Sequence, residues 1–166
     1  MKFKGGVLVI GDITTEDVEL LNIYQILKPA GQKELKDYLR YLLSKQYKRE
    51  VLVAVFQNKL LHNLFHSLLH IVEKDEFSSN QVGKRIQQIR ELYWGIFEQV
   101  HNKYSEFVQD LDSNEVVKEF GRTSFENIQR ALKSGDNDII RWEIIDFYQQ
   151  YNKLSQEKDT RKIIAV

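Results

Sequence analysis

REVLVAVFQNKLLHNLFHSLLHIV, residues 49–72, is the most apolar part of the 166-residue chain, and how it is read decides the fold. Its opening, Val51 to Phe56, has no polar side, and Leu61, Leu64, Phe65, Leu68 and Val72 then recur at helical spacing. A helix that is apolar almost all round is one packed on several sides. The pattern predicts a central helix from about Lys48 to Lys74 and an all-α fold around it. Gln57, Asn58, Lys59 and three histidines interrupt the run, so it is not expected to span a membrane.

Working outward, one proline and eight glycines punctuate the chain, which favours long helices. A first helix is expected from Thr15 to Leu27, with Thr14 or Thr15 as cap and Val18, Leu21, Tyr24 and Leu27 at helical intervals. A second runs from Pro29 or Gly31 to Gln46, its apolar stripe being Leu35, Tyr38, Leu39, Leu42 and Leu43. After KDEFSSNQ, Ser78 or Ser79 caps a stretch reaching about Leu111, with Ile86, Ile89, Tyr93, Phe97, Val100, Tyr104 and Phe107 as its buried face. Its length invites a kink or split between Glu91 and Gly95. Ser113 opens the next helix, Gly121 is expected to interrupt it, and Thr123 to Glu126 has the capping-box pattern that could restart it. The last helix spans about Asn137 to Gln156. Two β-branched runs, Gly6–Ile10 and Ile163–Val166, are short terminal β segments that could pair as a ribbon.

Length and a 42% hydrophobic composition fit one domain over residues 1–166. Twenty-four basic residues balance twenty-four acidic ones, leaving no overall field to draw the chain to nucleic acid. With no cysteine there is no disulfide, thiolate metal site or Cys nucleophile. MKFKGGVLVIGDI lacks an export pattern, so the expected location is cytoplasmic.

His62, His66 and His70 stand four residues apart, on the side of their helix opposite Leu61, Leu64, Phe65 and Leu68. His-x-x-x-His suits two metal ligands, but the HExxH base is missing, because Asn63 follows His62 and Ser67 follows His66. No metal is expected. An exposed helical histidine is also what a phosphotransfer protein uses as nucleophile, with His66 the candidate. The plainest reading is a solvated or partner-facing row. His101, alone, reads as structural. No P-loop, dinucleotide fingerprint or nucleophile elbow occurs, so no enzyme is expected. The basic run KQYKRE, Lys45 to Glu50, reads as solvated helix surface.

ITTEDVELLNIYQIL, a long helix ending in YLLSK, then LLHNLFHSLLHIV and VGKRIQQIRELYWGIFEQVHNKY together resemble the layout of the globin-type sensor domains of bacterial globin-coupled sensors, over about residues 13–157. Haem-binding members carry their iron ligand near the position of Ile86, and this chain has no histidine between Ile71 and Val100. The pattern is therefore similar to haem-free members, the sporulation-inhibitory, plasmid-borne proteins of spore-forming Gram-positive bacteria related to the sensor domain of a sporulation histidine kinase. The resemblance implies a globin-like fold of about six helices and a cytosolic homodimer. It also implies a fatty-acid-like ligand in place of haem, a halide ion, and inhibition of sporulation by competing for the kinase's signal.

On that arrangement Leu61, Leu64, Phe65, Leu68, Ile86, Ile89, Tyr93 and Phe97 are expected to line an acyl cavity, with Arg90 or Tyr93 as carboxylate donor and Arg40 behind them. The same apolar residues could equally pack on one another. The last helix is broader in apolar surface than one core contact requires, and Trp142, Ile145, Phe147 and Tyr151 are the expected dimer interface. LNIYQILKPAGQKELKDYLRYLLSKQYKRE also resembles segments that follow helix-turn-helix domains in bacterial repressors, so the rival expectation is an oligomerisation or effector module of a transcription regulator.

Overall fold

The computed structural model describes residues 2–3, 6–7, 12–109 and 115–156. Two short strands, β1 (Lys2–Phe3) and β2 (Gly6–Val7), pair antiparallel with Lys2 opposite Val7, and six helices follow among the described residues. The fold is all-α. The start of the N-terminal run, Gly6–Val7, thus pairs locally with Lys2–Phe3, whereas Ile163–Val166 lies outside the described residues.

Helix α1 (Thr15–Ile26) starts at a reciprocal cap: Thr14 Oγ1 accepts from the Asp17 amide at 3.2 Å, and Asp17 Oδ2 accepts from the Thr14 amide at 2.8 Å. It ends where Leu27 and Lys28 turn extended ahead of Pro29, since a residue before proline is disfavoured in the helical region. Pro29 then opens α2 (Pro29–Phe56). The expected boundary near Gln46 does not exist: α2 runs on through Lys48 and Arg49 to Phe56. The break falls at Gln57–Asn58, where Asn58 accepts the Leu61 amide at 3.0 Å and starts α3 (Lys59–Val72). A side-chain oxygen available for a cap outweighs the continuity of the apolar pattern there.

Ser78 caps α4 (Ser79–Tyr104), which continues unbroken past Gly95; Phe107 lies beyond its end and is 60% exposed. Helix α5 (Glu115–Ser134) likewise runs straight through Gly121, and Thr123 spends its hydroxyl on Glu119 instead of restarting a helix. Gly135 takes φ +68° to stop α5, and Asp136 caps α6 (Asn137–Gln156) by accepting the Asp138 amide at 2.9 Å.

Helix α4 packs on α2, α3 and α5, and α6 packs on α5, α2 and α3. Only the second half of α2 enters this core, through Tyr47, Val51, Leu52, Val55 and Phe56. Glu50 fixes α2 to α4: its carboxylate accepts from Lys103 Nζ at 2.8 Å and from the Tyr104 hydroxyl, which also accepts from Gln46 Nε2 at 2.9 Å. The Lys103 and Tyr104 donors hold the Glu50 carboxyl below its ordinary range. A depressed carboxyl contributes stability above its unfolded pKa and loses it as pH falls through the folded one. Glu50→Gln is therefore expected to unfold at slightly lower urea than the parent at neutral pH, with the gap closing in acid. Urea titrations across that range measure it.

Candidate functional site

The expected ligand-lining residues form the core itself. Leu61, Phe65, Leu68, Ile86, Ile89, Tyr93 and Phe97 are all buried, and Leu64 packs partly against them. Phe65 lies 4.7 Å from the Tyr151 ring and 4.9 Å from that of Phe147; Phe56 and Phe125 close on Tyr93 at 6.5 and 5.6 Å. The buried hydroxyls are committed to backbone, Tyr93 to Val117 O at 2.6 Å and Tyr151 to Val55 O at 2.7 Å. Burial drives both phenols well above their ordinary pKa, so they act as neutral donors. Tyr93, an expected carboxylate donor, thus gives its hydroxyl hydrogen to the α5 backbone. The grooves at Arg90–Trp94, Phe120–Phe147, Leu42–Val53 and Tyr148–Lys153 are lined by other residues than these eight.

Arg90 sits elsewhere. It borders a surface groove of about 810 Å³ between α4 and α5, whose apolar floor is Trp94, Phe125 and the backbone at Gly121. Gly121 brings the helices this close: a Cβ there would lie 2.5 Å from Tyr93 Cε1 and 2.9 Å from Trp94 Cζ2. Trp94 is half-buried, held edge-to-face by Tyr93 at 5.2 Å and Phe97 at 5.8 Å. Three cations, Arg90, Lys118 and Arg122, and two carboxylates, Glu119 and Glu126, surround the floor. Arg122 is paired with Glu119 at 2.7 Å, and Lys118 Nζ sits over the Phe97 ring at 5.8 Å. Arg90 is half-buried and makes no hydrogen bond or ion pair among the described residues. Arg40, by contrast, pairs with Asp37 at 3.2 Å on the first half of α2 and does not border the groove.

In the sequence, Gly121 reads as an interruption, which hid the groove; the signal available was a small residue facing the Tyr93-Trp94 pair on a neighbouring helix. The histidine row is likewise less uniform than its spacing implies. His62 is half-buried, its Nε2 3.1 Å from both Phe56 O and Ser155 Oγ, while His66 is exposed with Nε2 3.5 Å from the Tyr148 hydroxyl. His70 is exposed, 3.9 Å from Glu73. Among the described residues no three His, Asp or Glu side chains converge as metal ligands. His101 packs between the rings of Tyr47 and Phe97.

The expected interface residues divide. Phe147 and Tyr151 are 2% and 0% exposed and belong to the protomer's own core, so they cannot form a dimer surface; their rings cover Phe65. Trp142, 64% exposed, and Ile145 remain on the outside of α6.

Compared with protein-family models, curated proteins and solved structures, the chain matches none of them. Among the described residues, no helix is long and apolar enough to cross a membrane.

Proposed function

We propose that the chain is a non-enzymatic sensor module of the haem-free globin type that takes an amphipathic, fatty-acid-like anion, and that the anion lies in the α4–α5 groove and not inside the bundle. The observation that carries this reading is Arg90: a half-buried guanidinium with no partner among the described residues, beside an apolar floor of Trp94 and Phe125. A carboxylate supplies the charge-assisted bonds the guanidinium lacks, and each methylene laid on the floor contributes roughly 0.8 kcal/mol. The groove's volume falls within the roughly 300–1,000 Å³ of small-molecule sites. By the resemblance, ligand capture would hold back sporulation by competing for the signal of a histidine kinase.

Trp94 reports on the site directly. With Trp142 replaced by Phe, Trp94 is the sole tryptophan, and titration with palmitate is expected to shift its emission saturably. Arg90→Ala should weaken that binding by about tenfold or more, as loss of a charged hydrogen bond does. An emission that stays flat, together with no acyl chain extracted from the purified protein, would overturn the reading.

A second reading has its own observation. Helix α1 and the first half of α2 leave large apolar side chains exposed, as an oligomerisation or effector module of a transcription regulator would.

A further inference from the structure

Helix α1 buries none of its residues. Val18, Leu20, Leu21, Ile23 and Ile26 are between 47% and 84% exposed, and they are spread around the helix, not gathered on one side. Glu16, Asp17, Glu19, Asn22 and Gln25 lie between them, so the helix has no single apolar side to turn inward and its large apolar groups stay uncovered by this chain. Its own α2 touches it near the junction, where Gln32 Nε2 donates to Tyr24 O at 3.0 Å, Leu27 lies against Gly31 and Lys36 Nζ sits 5.7 Å from the centre of the Tyr24 ring.

The first half of α2 has the matching deficit. Leu35, Leu39 and Leu42, continuing to Gln46, Arg49 and Val53, repeat at alternating steps of four and three, the interval of a helix–helix seam. Leu39, Leu42 and Val53 are each more than 40% exposed, and a shallow trough of about 660 Å³ runs along Leu42, Lys45, Arg49 and Val53. Charge distinguishes the two surfaces. Residues 12–27 carry four acids (Asp12, Glu16, Asp17, Glu19) and no base, whereas residues 28–49 carry seven bases and two acids. Their lengths agree as well: α1 is roughly 18 Å long, and Leu35 to Arg49 spans roughly 21 Å.

We propose that the occupant is a second copy of this chain: α1 of each protomer lies along the exposed half of the other's α2, an acidic helix on a basic seam, made twice by two-fold symmetry. The surface is separate from the α4–α5 groove, so the dimer stands whether or not the groove takes a ligand.

Charge exchange in the full-length chain tests it. Glu16→Lys with Glu19→Lys leaves the Thr14–Asp17 cap intact, and Lys36→Glu with Lys45→Glu changes exposed positions on α2. The parent should be a dimer by light scattering across micromolar concentrations. Each double variant should keep parental helicity by circular dichroism yet dissociate about tenfold or more readily. Mixed one to one, the two variants should recover the parental dimer, because both reciprocal contacts again join opposite charges. A monomeric parent, a dimer indifferent to both changes, or variants that fail to rescue each other would overturn the proposal. So would recruitment of the monomeric parent to zwitterionic or anionic vesicles, which would make the apolar surface a lipid contact. The Trp94 titration should be unaltered in both variants, separating failure of the dimer from failure of the ligand.

Discussion

Phe65→Ala is expected to lower the unfolding free energy by about 3–5 kcal/mol, the largest loss from any single truncation considered for this chain. The ring is fully buried, and its neighbours are themselves rings: Tyr151 at 4.7 Å, Phe147 at 4.9 Å and Tyr148 at 5.8 Å, all on α6. Stiff aromatics have few rotamers with which to refill the space, and Tyr151 is further pinned by its hydroxyl on Val55 O. Most of the void should therefore persist. Urea unfolding should show the midpoint falling with little change in slope, and the thermal midpoint should drop on the order of 10 °C. Leu64→Ala on the same helix, at a half-buried position, should cost distinctly less. Equal losses at the two positions would contradict the packing described for α3 and α6.

The second large effect comes from adding one methyl group. In a helix interior, glycine to alanine ordinarily stabilises by about 1 kcal/mol. At Gly121 the sign is expected to reverse, because the new Cβ meets Tyr93 Cε1 at 2.5 Å and Trp94 Cζ2 at 2.9 Å. Tyr93 cannot retreat: it is buried and its hydroxyl is bound to Val117 O. Overpacking of this kind costs typically 1–3 kcal/mol, and the displaced indole should change Trp94 emission even without ligand. Gly83→Ala on α4, where nothing lies within 4 Å of the added methyl, is the control and should gain stability. The pair of urea curves separates close packing from helix propensity.

The all-α class was legible because its signals are local. Thr14 with Asp17, Ser78, the Ser134-Gly135-Asp136 stop and the 3.6-residue spacing on α4 each act within a few residues, and α1 and α6 fall within one residue of their expected bounds. Misreadings arose where tertiary contact decides. The apolar run masked the Asn58 cap. Gly121 serves a neighbouring helix and not its own backbone. The residues expected to line an acyl cavity are buried, but periodicity identifies only an inward face and does not say whether that face meets a space or another side chain. Phe147 and Tyr151 were placed outside because the breadth of the α6 pattern exceeds one contact, yet the additional neighbour is α3 of the same protomer. Of the expected ligand residues, Arg90 borders the α4–α5 surface groove.

Helix α2 is about 42 Å of unbroken rod, clamped near Glu50 and free toward Pro29. Such a rod is a lever. Pivoting it by about 5° at the clamp would sweep its tip through roughly 3 Å, since some 21 residues separate Glu50 from Pro29. The fulcrum, Lys103 and Tyr104, belongs to α4, the helix that also carries Arg90 and Trp94. Any tilt of α2 about this fulcrum would therefore be smallest at the clamp and largest at the Pro29 end.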